Sequence, residues 1–453
     1  KKMYDLIKYD KHNGQLRFLN ILATDATEQD LYDFRFDANI HEHMWFYTPE
    51  RLQDFHKSIS IKTSEDIVNK ERFKRREIRK IGFISRDFSQ GRPSGQLAEH
   101  FFDQLHQYAK KTGLEVFFYT FPRSTTPCFR NFATVREGRT VHKLAEIIYE
   151  DKLDILIDMQ GHMHNNFNIT LIKKPAPIIM HWLGYPGTTG IREVDYIFAD
   201  ETILPRSSQQ YYREKIIYLP NCYQINNPRL LVTDETCWYK RSDYEYPEDG
   251  ILFAHFNDSY KLDKNTWMIW CDILKRVPNS YLVFLKKYQK ETEQIINDAV
   301  EFGVKREQLI ITKRLNRMHH IHRLNLLNIG LDTYYCNGHT TSSDLIAAGR
   351  PVITFPRSTY HGRVTLSILR SLDLEELAVS SWQEYIDSAV KLATDKEYYQ
   401  SVCRKIVQNR EKTLYNPELY FENWINAVNE TWHNHDFTVK SLNIQKVDVE
   451  EKD

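Results

Sequence analysis

The stretch Asn328-Ile329-Gly330-Leu331-Asp332-Thr333, with Cys336-Asn337-Gly338-His339-Thr340-Thr341-Ser342-Ser343-Asp344 after it and the apolar Leu345 to Ala348 beyond, reads as strand, glycine turn and helix. Such a unit presents the amides of a helix's first turn to an anion, and the helix dipole adds attraction. His339 could donate to a phosphate oxygen and Asp344 could accept from sugar hydroxyls. An ordinary capped helix, with Asp344 complementing the dipole, has the same letters.

Outward from this unit the rhythm repeats. ILFAHF (251–256), YLVFLKK (281–287), QLIITKR (308–314) and PVITFP (351–356) are strand expectations separated by helices, one of which carries the stripe Trp267, Trp270, Ile273 and Leu274. An earlier block begins at Ile81-Gly82-Phe83-Ile84 and continues through EVFFYTF (115–121), DILIDM (154–159), APIIMHWLG (176–184) and DYIFAD (195–200), with helical spacing over 96–111 and 139–152. Two successive blocks of this kind predict an α/β chain with two parallel, doubly wound sheets facing a cleft, where ligands sit beyond the carboxyl ends of the strands. The expected organisation is a helical lead-in and basic linker (1–80), an N-terminal Rossmann-like lobe (81–240), a C-terminal Rossmann-like lobe (241–436) closed by helices at 382–394 and 417–433, and a polar tail (437–453). The linker's KERFKRREIRK (70–80), with seven basic and two acidic side chains, reads as a solvated charge run.

Composition removes several classes of function. In 453 residues, 61 Lys and Arg balance 61 Asp and Glu, which is not the footprint of a protein that coats nucleic acid or acidic lipid. Hydrophobic residues at 41%, with 27 Tyr and 24 Phe, supply apolar area for real cores. No apolar run approaches the roughly 18 residues of a membrane span, and the N-terminus lacks the apolar region of a secretion signal, so a cytoplasmic protein is expected. Six scattered cysteines form no C-x-x-C pair, and the chain's start at Lys1 reads as a processed form or fragment.

Three further segments carry a resemblance: KPAPIIMHWLGYPGTTG (174–190), Phe256-Asn257-Asp258-Ser259-Tyr260-Lys261, and LKRVPNSYLVF (274–284). With the 336–344 segment they make the chain, from about Ile81 to Trp432, resemble the catalytic region of the protein O-linked N-acetylglucosamine transferases, glycosyltransferase family 41. The resemblance implies a GT-B fold and an inverting enzyme that moves N-acetylglucosamine from its uridine diphosphate to Ser or Thr of protein acceptors. It implies that Lys261 meets the diphosphate and stabilises the leaving group, where a fixed cation offsets growing charge. His339, Thr340 and Thr341 correspond to the diphosphate-binding helix start, Asp344 to the ribose contact, His320 to the histidine against uracil, and Arg317 and Arg323 to the family's lysine and arginine near the base. Cys336, Tyr260, Gly184 and Pro93 are carried over to the same donor site.

No metal is expected. The chain has no D-x-D, so lysine and helix N-terminus would take the role that a divalent ion plays in many nucleotide-sugar enzymes. His319, His320 and His322 crowd together but fall on different helical faces, which suits a wet helix face better than a metal site.

Departures from the family concern the acceptor side. Arg92 precedes Pro93 where the family has histidine, and a guanidinium is no base at neutral pH. That leaves Asp87 as base, hydrogen-bond acceptor or helix cap, and His162, near His164, as a sugar or acceptor contact or a packed loop residue. Asp258 replaces a family glutamine. No 34-residue repeat is present, so acceptor choice must come from the cleft, the lead-in, or a helical-repeat region or partner outside this chain. The alternatives are another donor or linkage within the family, namely GDP-fucose or glucose transfer to Asn, and a non-catalytic nucleotide-sugar or protein-binding module.

Overall fold

The computed structural model describes residues 77–88, 93–121, 133–163, 166–258, 261–285 and 289–437; the lead-in up to residue 76, the tail beyond Phe437, and Tyr260, Arg92 and His164 lie outside them. Two wholly parallel sheets form the frame. β1 (Lys80–Ile84), β2 (Glu115–Thr120), β3 (Thr134–Glu137), β4 (Ile155–Asp158), β5 (Ile178–His181), β6 (Tyr196–Ala199) and β7 (Lys215–Tyr218) order as β3-β2-β1-β4-β5-β6-β7. β8 (Ile251–His255), β9 (Ser280–Leu285), β10 (Leu309–Thr312), β11 (Ile329–Leu331) and β12 (Val352–Ile353) order as β10-β9-β8-β11-β12. β4, β5 and β6 are buried at every position, as strands covered on both faces must be.

In each sheet the first strand of the block pairs with the second on one side and with a later strand on the other, β1 with β4 and β8 with β11. Strand order reverses at these two points, where the following loops diverge and open a crevice. The loops after β1, β4, β8 and β11 are therefore the ones that line these crevices.

The N-terminal lobe carries helices α1 (Pro93–Leu97), α2 (Glu99–Thr112), α3 (Val141–Asp151) and α4 (Asn168–Ile172). The C-terminal lobe carries α5 (Lys264–Arg276), α6 (Gln289–Glu301), α7 (Arg317–Leu324), α8 (Thr340–Ala347), α9 (Val364–Arg370), α10 (Trp382–Thr394) and α11 (Lys396–Asn409). The predicted stripe of α5 is buried: Trp267, Trp270, Ile273 and Leu274 all face the core. Side chains cap several helix starts, as with Thr140 on α3, Asp263 on α5, Asn316 on α7 and Ser381 on α10.

Two lobe boundaries differ from expectation. The last helix, α12 (Pro417–Asn434), assigned to the C-terminal lobe by its position in sequence, packs on the N-terminal one. Its Trp424 is fully buried, 4.9 Å from the ring of Phe101 on α2 and 5.6 Å from Trp182 after β5. Tyr420 accepts the Trp182 indole N–H at 2.9 Å and donates to the Tyr223 carbonyl at 2.5 Å. The apolar face Tyr420, Phe421, Trp424, Ile425 and Val428 finds its complement only there, and burying a Trp or Phe is worth about 1.5–3 kcal/mol. The first crossing also comes earlier than residue 241, since Val232 already donates its amide to Ala347 at the end of α8, at 2.9 Å, and packs in the C-terminal core. Among the described residues no helix is long and apolar enough to cross a membrane.

Candidate active site

At the C-terminal switch point the loop after β8 meets the turn that opens α8. Lys261 is 9% exposed, and its ammonium donates to the Asn337 carbonyl at 2.5 Å, just before the turn. Asp332, at the end of β11, accepts from the Gly338 amide at 2.7 Å and from the Thr354 hydroxyl at 2.8 Å. Burial pushes the Asp332 carboxyl up to about 6, against hydrogen bonds from Thr365 and Thr354 and the nearby charge of Lys261. Asn337 is fully buried and braces the turn from below through the Thr333 carbonyl at 3.0 Å. The turn needs glycine at 338, because a Cβ there would lie 2.2 Å from the Ser342 hydroxyl and 3.0 Å from its amide.

His339 opens α8 at φ 46°, ψ −109°, a conformation rare for a residue with a Cβ, and no side chain caps the helix. The ordinary capped helix is thereby excluded. Thr341 turns its hydroxyl away from the amides, to the Gly338 carbonyl at 2.6 Å and to Asn257 after β8. Burial and Lys261 hold the His339 imidazole well below its ordinary pKa, so it is a neutral hydrogen-bond group. A small pocket lined by Phe256, Asn257, Asp332, Thr341, Ser342 and Leu345 lies at this point. The far end of α8 is held by the buried Arg410, which donates to the carbonyls of Ile346 and Ala347 at 3.2 and 2.7 Å.

The residues expected around the nucleoside gather at α7, but several engage one another. Asp344 pairs with Arg317 at 2.6 Å, both largely buried, and Arg317 also reaches Gln96 of α1 across the cleft at 3.3 Å. Burial raises the Asp344 carboxyl while Arg317 opposes it. His320 Nδ1 accepts from Arg323 at 2.7 Å, and its ring lies against Phe256 with centroids 4.8 Å apart. Burial and the flanking arginines Arg323, Arg317 and Arg314 keep His320 neutral. Arg323 is itself only 1% exposed and holds the Lys313 carbonyl at 2.6 Å, so it orients His320 and the end of β10 from within the core. The three histidines of α7 have separate surroundings: His319 bonds Tyr239, His320 bonds Arg323, and His322 lies under Trp238 with ring centroids 3.8 Å apart.

Across the cleft, Asp87 lies in the turn after β1, its amide donating to the Ser85 hydroxyl at 2.9 Å. His162 is 5% exposed and both ring nitrogens are engaged, Nε2 with the Thr189 carbonyl at 2.6 Å and Nδ1 with the Asn168 amide group at 3.0 Å. A carbonyl can only accept, so Nε2 carries the proton and Nδ1 accepts: this is the packed loop histidine, not a free base. Gly184 serves close packing of two loops, since a Cβ there would lie 2.3 Å from the Met159 carbonyl oxygen. Cys336 is 1% exposed and packs against Tyr185 from the other lobe, which makes it a seam between lobes. Pro93 begins α1, and Asp258 sits on the rim, 3.8 Å from Arg314.

Asp332, Gln96 and the fully buried pair Asp158–His181 were not picked out from sequence. A carboxylate closing an apolar strand just before a glycine turn could have flagged Asp332, and the lone histidine inside the apolar run 176–184 could have flagged His181. Among the described residues no three His, Cys, Asp or Glu side chains cluster so as to hold a metal ion.

Comparison with known proteins follows the same lines. The sequence matches the profile of glycosyl transferase family 41 over residues 50–236 and 230–424. It is 34% identical over 343 residues to an Arabidopsis thaliana protein named probable UDP-N-acetylglucosamine–peptide N-acetylglucosaminyltransferase SEC, covering 73% of this chain and 34% of that one. It is 24% identical over 471 residues to the Caenorhabditis elegans UDP-N-acetylglucosamine–peptide N-acetylglucosaminyltransferase, covering 78% and 40%. The chain thus spans well under half the length of these curated relatives. Among solved structures, a lysine-to-methionine mutant of the Thermobaculum terrenum O-GlcNAc transferase is similar with a TM-score of 0.70 at 24% identity, covering 79% of this chain and 68% of that one. Anabaena HepE in complex with UDP and glucose is similar with a TM-score of 0.56 at 10% identity, covering 78% and 100%. These likenesses are of fold, and the two facing lobes have the GT-B architecture. The chain belongs to glycosyl transferase family 41.

Proposed function

We propose that the chain is an inverting, metal-independent glycosyltransferase that moves N-acetylglucosamine from its uridine diphosphate to Ser or Thr hydroxyls of proteins. The observation that carries the reading is the Lys261 ammonium, 2.5 Å from the Asn337 carbonyl at the mouth of an uncapped helix. An ammonium and first-turn amides together suit a pyrophosphate, whose charge grows as the sugar departs. The names of the relatives supply the donor and the peptide acceptor. His320, kept neutral, and the Arg317–Asp344 pair suit the uracil and ribose ends of the same donor.

In the reaction the acceptor hydroxyl oxygen attacks the sugar's anomeric carbon from the face opposite the diphosphate. The bond from that carbon to the diphosphate oxygen breaks, and UDP leaves with the electron pair. The hydroxyl proton passes to a base on the N-terminal side, for which Asp87 in the turn after β1 is the candidate. Lys261 and the α8 amides offset the charge left on UDP. Five of the six cysteines lie among the described residues as free thiols, which suits the reducing, cytosolic setting expected for the chain.

The test is UDP release with a matching mass increment on a protein acceptor. Lys261→Met, which leaves no buried charge unpaired at that side chain, should lower the rate by at least about 10²–10³-fold while the protein still folds, losing no more than about 1.5–3 kcal/mol for the Asn337 carbonyl's lost donor. Retained activity would remove the role given to Lys261, and a screen in which the folded protein turns over no UDP-sugar would sink the reading. Calorimetry with UDP and GDP separates the fucosyl alternative, which requires GDP to bind tighter.

A further inference from the structure

We propose that His181 is a doubly protonated positioning residue that, through Asp158 and Gln160, holds the turn bearing Asp87 and, through Tyr185, the seam between the lobes. His181 and Asp158 are the last residues of β5 and β4 and are register partners in the parallel sheet. Nδ1 of His181 lies 2.9 Å from Asp158 Oδ2, and Nε2 lies 2.8 Å from the Tyr185 carbonyl. A carboxylate and a carbonyl both only accept, so the ring must donate from both nitrogens. A ring that donates from both is an imidazolium.

The pair sits under the cleft with side-chain exposures of 1% and 0%. Water therefore cannot replace either bond, and a buried pair persists only when its remaining lone pairs are satisfied. They are: Asp158 Oδ1 accepts the Gln160 amide at 3.0 Å, and Oδ2 also accepts the Gly161 amide at 2.9 Å. With His181, three donors thus converge on one carboxylate. Burial opposes the charge on His181, but Asp158, the Tyr185 carbonyl and the more distant Glu214 outweigh it, and the imidazole is held above its ordinary pKa. Glu214 is occupied by the hydroxyls of Thr188 and Thr189, both at 2.5 Å, and acts only at a distance.

From this pair a continuous hydrogen-bond chain runs to the candidate base. Asp158 fixes the backbone of Gln160, whose side-chain oxygen accepts the Ser85 hydroxyl and the Arg86 amide, each at 3.0 Å. The Ser85 oxygen then accepts the Asp87 amide at 2.9 Å. Ser85 and Gln160 are buried, so the linkage is insulated from solvent. In the other direction His181 pins the carbonyl of Tyr185, whose ring packs on Cys336, one residue from the Asn337 carbonyl that binds Lys261. One imidazolium thereby sets both the acceptor-side turn and its distance from the donor side.

The inference rests on the glycosyl-transfer reading only for its kinetic half. Ring-nitrogen NMR of 15N-histidine-labelled protein at pH 8 tests the protonation directly, with His181→Gln identifying the resonance. Two protonated ring nitrogens are expected, and one unprotonated nitrogen overturns the assignment. For positioning, His181→Gln should lower kcat by about 10- to 100-fold, the range that a misplacement near 1 Å produces, while UDP affinity by calorimetry stays within about twofold, because the nucleotide contacts lie in the other lobe. If that variant does not fold, Gln160→Met severs the link to Ser85 and Arg86 and leaves the ion pair in place, with the same split expected. Wild-type kcat in whichever variant folds, or loss of UDP affinity in step with kcat, overturns the positioning role. Failure of wild-type protein to transfer any sugar would instead count against the glycosyl-transfer reading and leave the NMR result standing.

Discussion

Asp332 offers a pH-dependent test of the donor-side turn. Its carboxyl is buried, accepts the Gly338 and Thr333 amides at 2.7 and 2.9 Å, and sits near Lys261. Raising it from an ordinary 3.8 to about 6 means that the fold binds this proton more tightly than the unfolded chain does, by about 3 kcal/mol at about 1.4 kcal/mol per pH unit. The sign follows: the stability linked to protonation is fully present below about pH 4 and is lost as pH rises through about 6. Asn in place of Asp keeps an oxygen for the Gly338 amide and does not titrate. The stability of Asp332→Asn minus that of wild type should therefore rise by about 2.5 kcal/mol between pH 4 and pH 7, most of the full linkage. Urea unfolding of the two proteins in parallel at unit steps of pH measures this, since every other titrating group cancels in the difference. A difference that stays flat, or falls with pH, would refute the placement of a charged carboxylate in that pocket.

Other perturbations probe the supports of the site. Gly184→Ala should lose about 1–3 kcal/mol, read from the denaturant midpoint, because the new methyl group meets the Met159 backbone at 2.3 Å and neither loop can yield without the other. Arg410→Met strips the charged donor from the carbonyls of Val232, Ile346 and Ala347; a loss of about 1.5–3 kcal/mol in unfolding free energy is expected, along with weaker UDP binding by calorimetry as α8 loosens. Tyr420→Phe leaves the Trp182 indole N–H without its acceptor and should cost about 1–3 kcal/mol, with faster amide exchange along α12 than elsewhere.

How much was legible follows the kind of signal involved. The central strands could be read because strands buried on both faces are continuous apolar runs, as in ILID and IIMH. The edge strand β3, TVRE, has exposed positions and no such run, while β7, KIIY, at the other edge, has one of three apolar residues beside an exposed lysine. Helix α10 was expected at its observed bounds, Trp382–Thr394, because its apolar spacing starts at a Ser cap. The placement of α12 could not be read, since its apolar face is equally suited to either lobe until Trp182 and Phe101 are in position to meet it.

The candidate site divides the same way. Gly338, His339 and Asp344 stand in one short motif whose turn and helix start are local, so their neighbourhood follows from chain connectivity, whereas Lys261 meets that turn across 76 residues of sequence. His162 as a packed residue, Arg317 as the partner of Asp344, and His181 as the partner of Asp158 depend on contacts 27, 27 and 23 residues away in sequence. From sequence alone came the α/β rhythm, the two lobes and the glycine turn that opens α8, because periodicity and turn chemistry act over a few residues. Which side chains satisfy one another was decided only by strand register and lobe packing, because a buried polar group takes whatever partner the fold brings within 3 Å, and no local pattern encodes that partner.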